Sequence, residues 1–262
     1  MYIDKHNINN LQLSKLLKFS ILNDSIFFDI ETTGLNAKYD KIISINVLLN
    51  NDSNIFMYQF FSESNNDEED IIKEFVSLIN NKKYIVTYNG NSFDIPFINK
   101  KSKKYSLNFT FENYIKVDLL NDIYALKDKL DLVNLKLKTV EKYFNIKRND
   151  DLSGKDVIRL YTSYLLNSKK VYRDLILQHN FEDVFNLPLI FNKIINLYDD
   201  TILLNYFDNK IIIKLIYKNI KITKKSIIIK LYTFKNLNID YVNYSSSYNF
   251  YWDSNSGIIT IT

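Results

Sequence analysis

The chain has no cysteine, four glycines, two prolines and two histidines in 262 residues. Without thiols there are no disulfides and no thiolate metal sites, and His6 and His179 are too few for a histidine-rich zinc site. A bound metal would have to be held by carboxylates, whose oxygens suit Mg2+ or Mn2+. No segment approaches the ~20 consecutive apolar residues that span a bilayer. The opening segment MYIDKHNINN also lacks the basic and then apolar pattern of a secretion signal. These absences predict a cytoplasmic protein without a membrane partner. Arginine occurs only at Arg148, Arg159 and Arg173, so the formal charge of +4 rests almost wholly on lysine. That mild excess permits a polyanionic partner without demanding one. Each of the few glycines and prolines is expected to mark a position with its own backbone requirement.

Hydrophobic residues make up 46% of the chain and charged residues 24%, the balance of a globular domain. The pattern predicts strands at 25–30, 42–49, 54–61, 84–88 and 110–117. It predicts helices at 70–80, from the nineties to about residue 100, at 119–128, 135–145 and 154–167, and over 170–197. A short apolar helical pattern also runs through Leu11, Leu13, Leu16 and Leu17. This alternation points to a mixed α/β sheet with helices on both faces. After residue 199 the texture changes to short strand-like segments such as KIIIKLIYK and GIITIT, so 200–262 reads as a small β-rich C-terminal appendage to a domain of 1–199. Exposed strand edges in such an appendage could serve a protein partner. Its lysines and rings, including Lys221, Lys224, Lys225, Tyr232, Tyr251 and Trp252, could track a nucleic-acid strand or form an ordinary solvated face and core.

Residues 25–35, SIFFDIETTGL, end an apolar run with two acids. In a strand Phe27, Asp29 and Glu31 share one face and Ile26, Phe28 and Ile30 the other. Two carboxylates ~7 Å apart along a strand repel unless a positive charge lies between them, and a metal ion is the natural candidate. The alternative is a strand running out into solvent.

In YNGNSFDIPFI the Asn89-Gly90 pair signals a turn, Ser92 is a candidate helix cap, and Pro96 is tolerated in a first helical turn. Asp94 then lies at a helix N-terminus, either complementing the helix dipole or joining the first two acids as a third carboxylate. Further on, HNFEDVFNL puts His179 and Asp183 four residues apart on one helix face. Leu175, Leu177, Val184, Leu187 and Ile190 are expected to form the core-facing stripe of that helix. A helical histidine of this kind serves either packing or chemistry.

Taken together, DIETTGL, YNGNSFDIPFI and HNFEDVFNL resemble the three motifs of the DEDD (DnaQ-like) 3′–5′ exonuclease superfamily, nearest to its YprB-type ribonuclease H-like domains. The stretch 135–166, with Gly154 and RLYTSYL, is similar to the connecting region of that family, and the likeness spans about 25–197. It implies an RNase H-like fold with a central mixed five-stranded sheet flanked by helices. It also implies a phosphodiester hydrolase working on the 3′ end of DNA or RNA with two divalent metal ions, Mg2+ or Mn2+. Four carboxylates carry over as metal-binding and catalytic residues: Asp29, Glu31, Asp94 and Asp183. His179 carries over as the residue that orients or deprotonates the attacking water, which a side chain with an unperturbed pKa of about 6.5 can do near neutrality. Thr32, Thr33, Asn89 and Phe93 are candidate substrate contacts, with core packing the competing role for the phenylalanine. Asp118 reads first as a helix cap. The segment after VDLL departs from the family by lacking arginines. A rival of another class is a catalytically silent nucleic-acid-binding module or scaffold on the same fold, but a phosphate-binding site gains nothing from four acids without metal.

Overall fold

The computed structural model describes residues 1–9, 13, 24–51, 54–197, 201–206, 209–222, 227–233, 241–253 and 258–262. Strands β1 (Tyr2–Asn7), β2 (Ser25–Thr32), β3 (Ile42–Asn51) and β4 (Asn54–Phe61) come first, followed by helix α1 (Glu68–Ile79). Strand β5 (Tyr84–Thr87) leads to α2 (Asp94–Lys104), and β6 (Ile115–Asp118) to α3 (Leu119–Ala125) and α4 (Lys127–Leu130). Three more helices follow, α5 (Leu137–Tyr143), α6 (Gly154–Asn167) and the long α7 (Lys170–Leu197).

Six strands among the described residues form the first sheet, in the order β1-β4-β3-β2-β5-β6. Neighbours β1 to β2 pair antiparallel, whereas β2, β5 and β6 run parallel. The mixed sheet flanked by helices is as the sequence predicts, with one strand more than five. The addition is β1, an edge strand with at most one half-buried face, and YIDKHN carries too little apolar alternation to announce it. The predicted helix around Leu11–Leu17 lies outside the described residues except for Leu13, which is helical and fully buried. The predicted strand at 110–117 starts only at Ile115, because Phe111–Asn113 turns as a 3-10 segment with the Thr110 hydroxyl accepting from the Glu112 N–H.

Alternation along β2 splits the core in two. Ile26, Phe28 and Ile30 pack with α1 and α2 through Ile71, Phe75 and Ile95, and with Phe111 of the 3-10 segment. Phe27, on the opposite face, packs against Val184, Leu187, Ile190 and Phe191 of α7. Asp29 and Glu31 share the Phe27 face and so look toward α7. Of the expected stripe on that helix Leu175 is 43% exposed, and Ile176 is buried in its stead. Leu175 stands nine residues before Val184, about half a turn out of phase at ~100° per residue.

A second sheet has the order β10-β11-β12-β9-β8-β7, built from Thr201–Tyr206, Asn209–Ile222, Ile227–Thr233, Tyr241–Tyr244, Asn249–Asp253 and Ile258–Ile261 in chain order. All its pairings are antiparallel. Trp252 is fully buried, which removes it as a stacking platform, while Tyr251 on the alternate face is 45% exposed. Among the described residues no helix is long and apolar enough to cross a membrane.

Candidate functional site

The carboxyl ends of the three parallel strands meet on one edge of the first sheet, where open α/β sheets hold their sites. Strand β2 brings Asp29 and Glu31 there. Beyond β5 the chain turns through Asn89, whose φ of 65° is left-handed. Gly90 is required by close approach, since a Cβ on it would come within 2.2 Å of the Thr87 hydroxyl oxygen. Asp118, at the end of β6, holds this turn: its carboxylate accepts from the Asn89 N–H at 2.7 Å and the Asn91 N–H at 3.0 Å. It also caps α3 by accepting from the Leu120 N–H. Helix α2 begins at Asp94 without any side-chain cap, so Ser92 does not cap it. The Asp118-clamped turn already fixes the helix start, and Ser92 points to solvent.

Asp94 is almost fully buried and accepts the Ile30 N–H at 3.0 Å, which ties α2 to β2 between the two acids of that strand. From the other side α7 lowers His179, Asn180 and Asp183 onto the sheet. His179 Nε2 lies 3.3 Å from Glu31 Oε1 and 3.5 Å from Asp183 Oδ2, and Asn180 donates to Asp29 at 2.7 Å. The structure thus gathers all five residues singled out in the three motifs.

The electrostatics are those of an acid cluster short of positive charge. Burial, followed by the charges of Asp94, Asp183 and Glu31, pushes the Asp29 carboxyl well above its ordinary range, with Arg148 opposing. Glu31 is raised by burial, Asp183 and Asp94. Burial raises Asp94 to about 7 despite the Ile30 N–H it accepts. One ligand atom each from Glu31, His179 and Asp183 lies within 4.8 Å of the others. Buried carboxylates that are costly to ionise, converging with an imidazole nitrogen, fit a hard divalent cation. The residues whose ligand atoms converge closely enough to share one are Glu31, His179 and Asp183, with Asp94 close enough to Asp29 to raise its carboxyl pKa.

An open cleft of about 500 Å³ reaches the cluster, lined by Asp29, His179 and Asp183 together with Tyr88, Lys136 and Gly154. Gly154 departs from expectation, because a Cβ there would meet nothing within 4 Å. None of the four candidate substrate contacts lines this cleft. Thr32 spends its hydroxyl on the Gly34 carbonyl at 2.7 Å, and the Thr33 hydroxyl accepts from the Lys41 N–H at 2.9 Å. Asn89 is exposed, and Phe93 is half-buried against the Phe97 ring.

Sequence reasoning passed over three neighbours. Asn180 adjoins His179 but carries no signal of its own. Arg148 ion-pairs with Asp183 at 2.5 Å, Asp150 at 2.8 Å and Glu141 at 3.2 Å. Asp150 lies 2.5 Å from His179 Nδ1. The scarcity of arginine was the available clue, since a rare guanidinium in an acid-rich chain is a natural counter-charge.

A mixed sheet carrying a carboxylate cluster and an imidazole at its parallel edge defines an α/β domain with a hydrolase-type site. The RNase_H superfamily model matches residues 26–195, and the chain belongs to that family. The DNA polymerase III PolC-type of Mycoplasma genitalium is 28% identical over an alignment covering 39% of this chain and 8% of that protein. The chain therefore corresponds to a small part of that relative. The family B DNA polymerase of the archaeon Pyrobaculum calidifontis superposes with a TM-score of 0.52 at 18% identity, covering 66% of this chain and 24% of the polymerase, which is a likeness of fold.

Proposed function

We propose that the protein is a metal-dependent 3′–5′ exonuclease of the DEDD type, in its YprB-type branch, cytoplasmic and acting on the 3′ end of DNA or RNA. The observation that carries this reading is the convergence of Glu31, His179 and Asp183 within 4.8 Å, where His179 and Asp183 together with Asp29 line an open cleft and Asp94 is buried close by. Asp29, Glu31, Asp94 and Asp183 would hold two Mg2+ or Mn2+ ions, which supply charge stabilisation for the attacking and leaving oxygens of a phosphodiester. His179 presents Nε2 to that space and takes the proton of the attacking water. Lys136, exposed on the cleft wall, offsets substrate phosphate charge. Thr32 and Thr33, their hydroxyls engaged in the turn, meet the terminal nucleotide through their backbone, with Asn89 and Phe93 as further contacts. Residues 1–199 form the nuclease unit and 200–262 an appendage that extends binding to substrate or to a protein partner. Membership of the RNase_H superfamily and relatives named as DNA polymerases support a nucleic-acid substrate.

The test is incubation of end-labelled single- and double-stranded DNA and RNA with Mg2+ or Mn2+, using Asp29→Asn as control. Stepwise shortening from the 3′ end that needs the metal and vanishes in the variant is expected. Binding without cleavage under every metal condition would instead make the protein a silent recognition module.

A further inference from the structure

Behind His179, away from the cleft, stands a buried layer to which the proposed chemistry gives no part. Asp150 is 4% exposed at its side chain and Arg148 8%. Both belong to the loop before α6, about thirty residues upstream of the histidine. Asp150 Oδ1 accepts from the Leu152 N–H at 2.9 Å. Oδ2 accepts from Arg148 Nη2 at 2.8 Å and Lys138 Nζ at 3.3 Å, and lies 2.5 Å from His179 Nδ1. Glu182, one turn along α7, accepts from the Asn149 and Asp150 N–H groups at 2.8 and 3.3 Å. Loop and helix are therefore stitched at two places just before Asp183, and Arg148 reaches across to that aspartate as well.

The chemistry of the short contact decides the state of the ring. An ionised carboxylate accepts and cannot donate, so a nitrogen 2.5 Å from it must carry the proton. Donors from Arg148, Lys138 and Leu152 around Asp150 all favour its ionised form. With Nδ1 committed to Asp150, Nε2 is the atom that faces Glu31 and Asp183.

We propose that Asp150, clamped by Arg148, is a positioning residue that holds the Nδ1 proton of His179 and aims Nε2 at the reaction centre. This deepens the exonuclease reading and rests on it for its consequence in catalysis. The geometric claim about the ring stands apart from that reading. Arg148 has a double task, fixing both the carboxylate behind the histidine and Asp183 beside it.

The deciding measurement is nitrogen NMR of the wild-type protein labelled at histidine, at mildly alkaline pH. His6, the other imidazole of the chain, is assigned with a His6→Gln variant. His179 is expected to show a protonated Nδ1. In Asp150→Asn the amide keeps one acceptor where the carboxylate had two, and Arg148, Lys138 and Leu152 compete for it. The ring should then shift toward Nε2–H. Turnover should fall about 10–100-fold, the usual cost of losing a partner that orients an active-site histidine, with KM little changed. In a His179→Ala background the same substitution should cost almost nothing further. A wild-type ring bare at Nδ1 would overturn the proposal, and so would an undiminished loss in the His179→Ala background. The wild-type spectrum decides even where Asp150→Asn does not fold. If no nucleic acid is hydrolysed, the exonuclease reading fails while the tautomer is still read.

Discussion

The two sheets solve the same packing problem with opposite connectivity, and among the described residues it is the first that gathers an acid cluster. In the first, parallel strands β2, β5 and β6 are joined by helical crossovers, so residues as far apart in sequence as Asp29, Asp94, Asp118 and Asp183 reach one edge. In the second, every pairing is antiparallel and mostly between strands adjacent in sequence, which brings near neighbours together and leaves no common carboxyl edge. Charge follows the same division. The first sheet buries an acid cluster, whereas residues 209–239 carry eight lysines and no acid. Crossover topology concentrates function at a point, and hairpin topology spreads a uniform surface.

The comparison breaks most sharply at the acids. Asp29→Asn or Asp183→Asn should abolish hydrolysis, measured on end-labelled oligonucleotides, while circular dichroism stays unchanged. Each swap removes a ligand charge and hardly any volume. A variant cleaving at near the wild-type rate would remove that residue from the site. Next in size, His179→Ala should lose about 10²–10⁴ in turnover, the worth of a positioned base. Divalent-ion binding by calorimetry should change little, because it rests on the carboxylates.

The other sheet is tested by removal. A chain ending at Leu197 should bind long substrates several-fold more weakly yet cleave a short oligonucleotide at nearly the full rate, once its fold is verified by circular dichroism. A folded truncate inactive even on a dinucleotide would make the second sheet part of the catalytic unit.

The smallest effect concerns stability. Asp94 is raised by burial to about 7 and Asp29 and Glu31 are raised as well, so each binds its proton more tightly folded than unfolded. The stability they contribute is whole below the ordinary carboxylate pKa of about 4 and is lost as pH rises through the folded values. Without metal, Tm should therefore fall by a few degrees, roughly the effect of 1 kcal/mol, as pH climbs through about 7. Adding Mg2+ or Mn2+ should restore it, and Asp29→Asn should blunt the fall.

Some of this was legible without coordinates. Strand alternation alone put Asp29 and Glu31 on the Phe27 face, and helical spacing alone put His179 and Asp183 side by side, because both follow from the fixed periods of the backbone. The absence of cysteine limited the ligands to oxygen and imidazole nitrogen. Edge strand β1 and the phase of Leu175 were not legible, since a half-exposed strand and a marginal helix position leave weak hydrophobic patterns. Nor could any period reveal that Arg148 and Asp150 stand behind His179, or that Asn180 reaches Asp29 across 151 positions. Local sequence determines which way a side chain leaves its own strand or helix. Which charge it meets there is decided only when crossovers bring distant segments together, because a buried carboxylate must then find its counter-charge in whatever the fold has packed beside it.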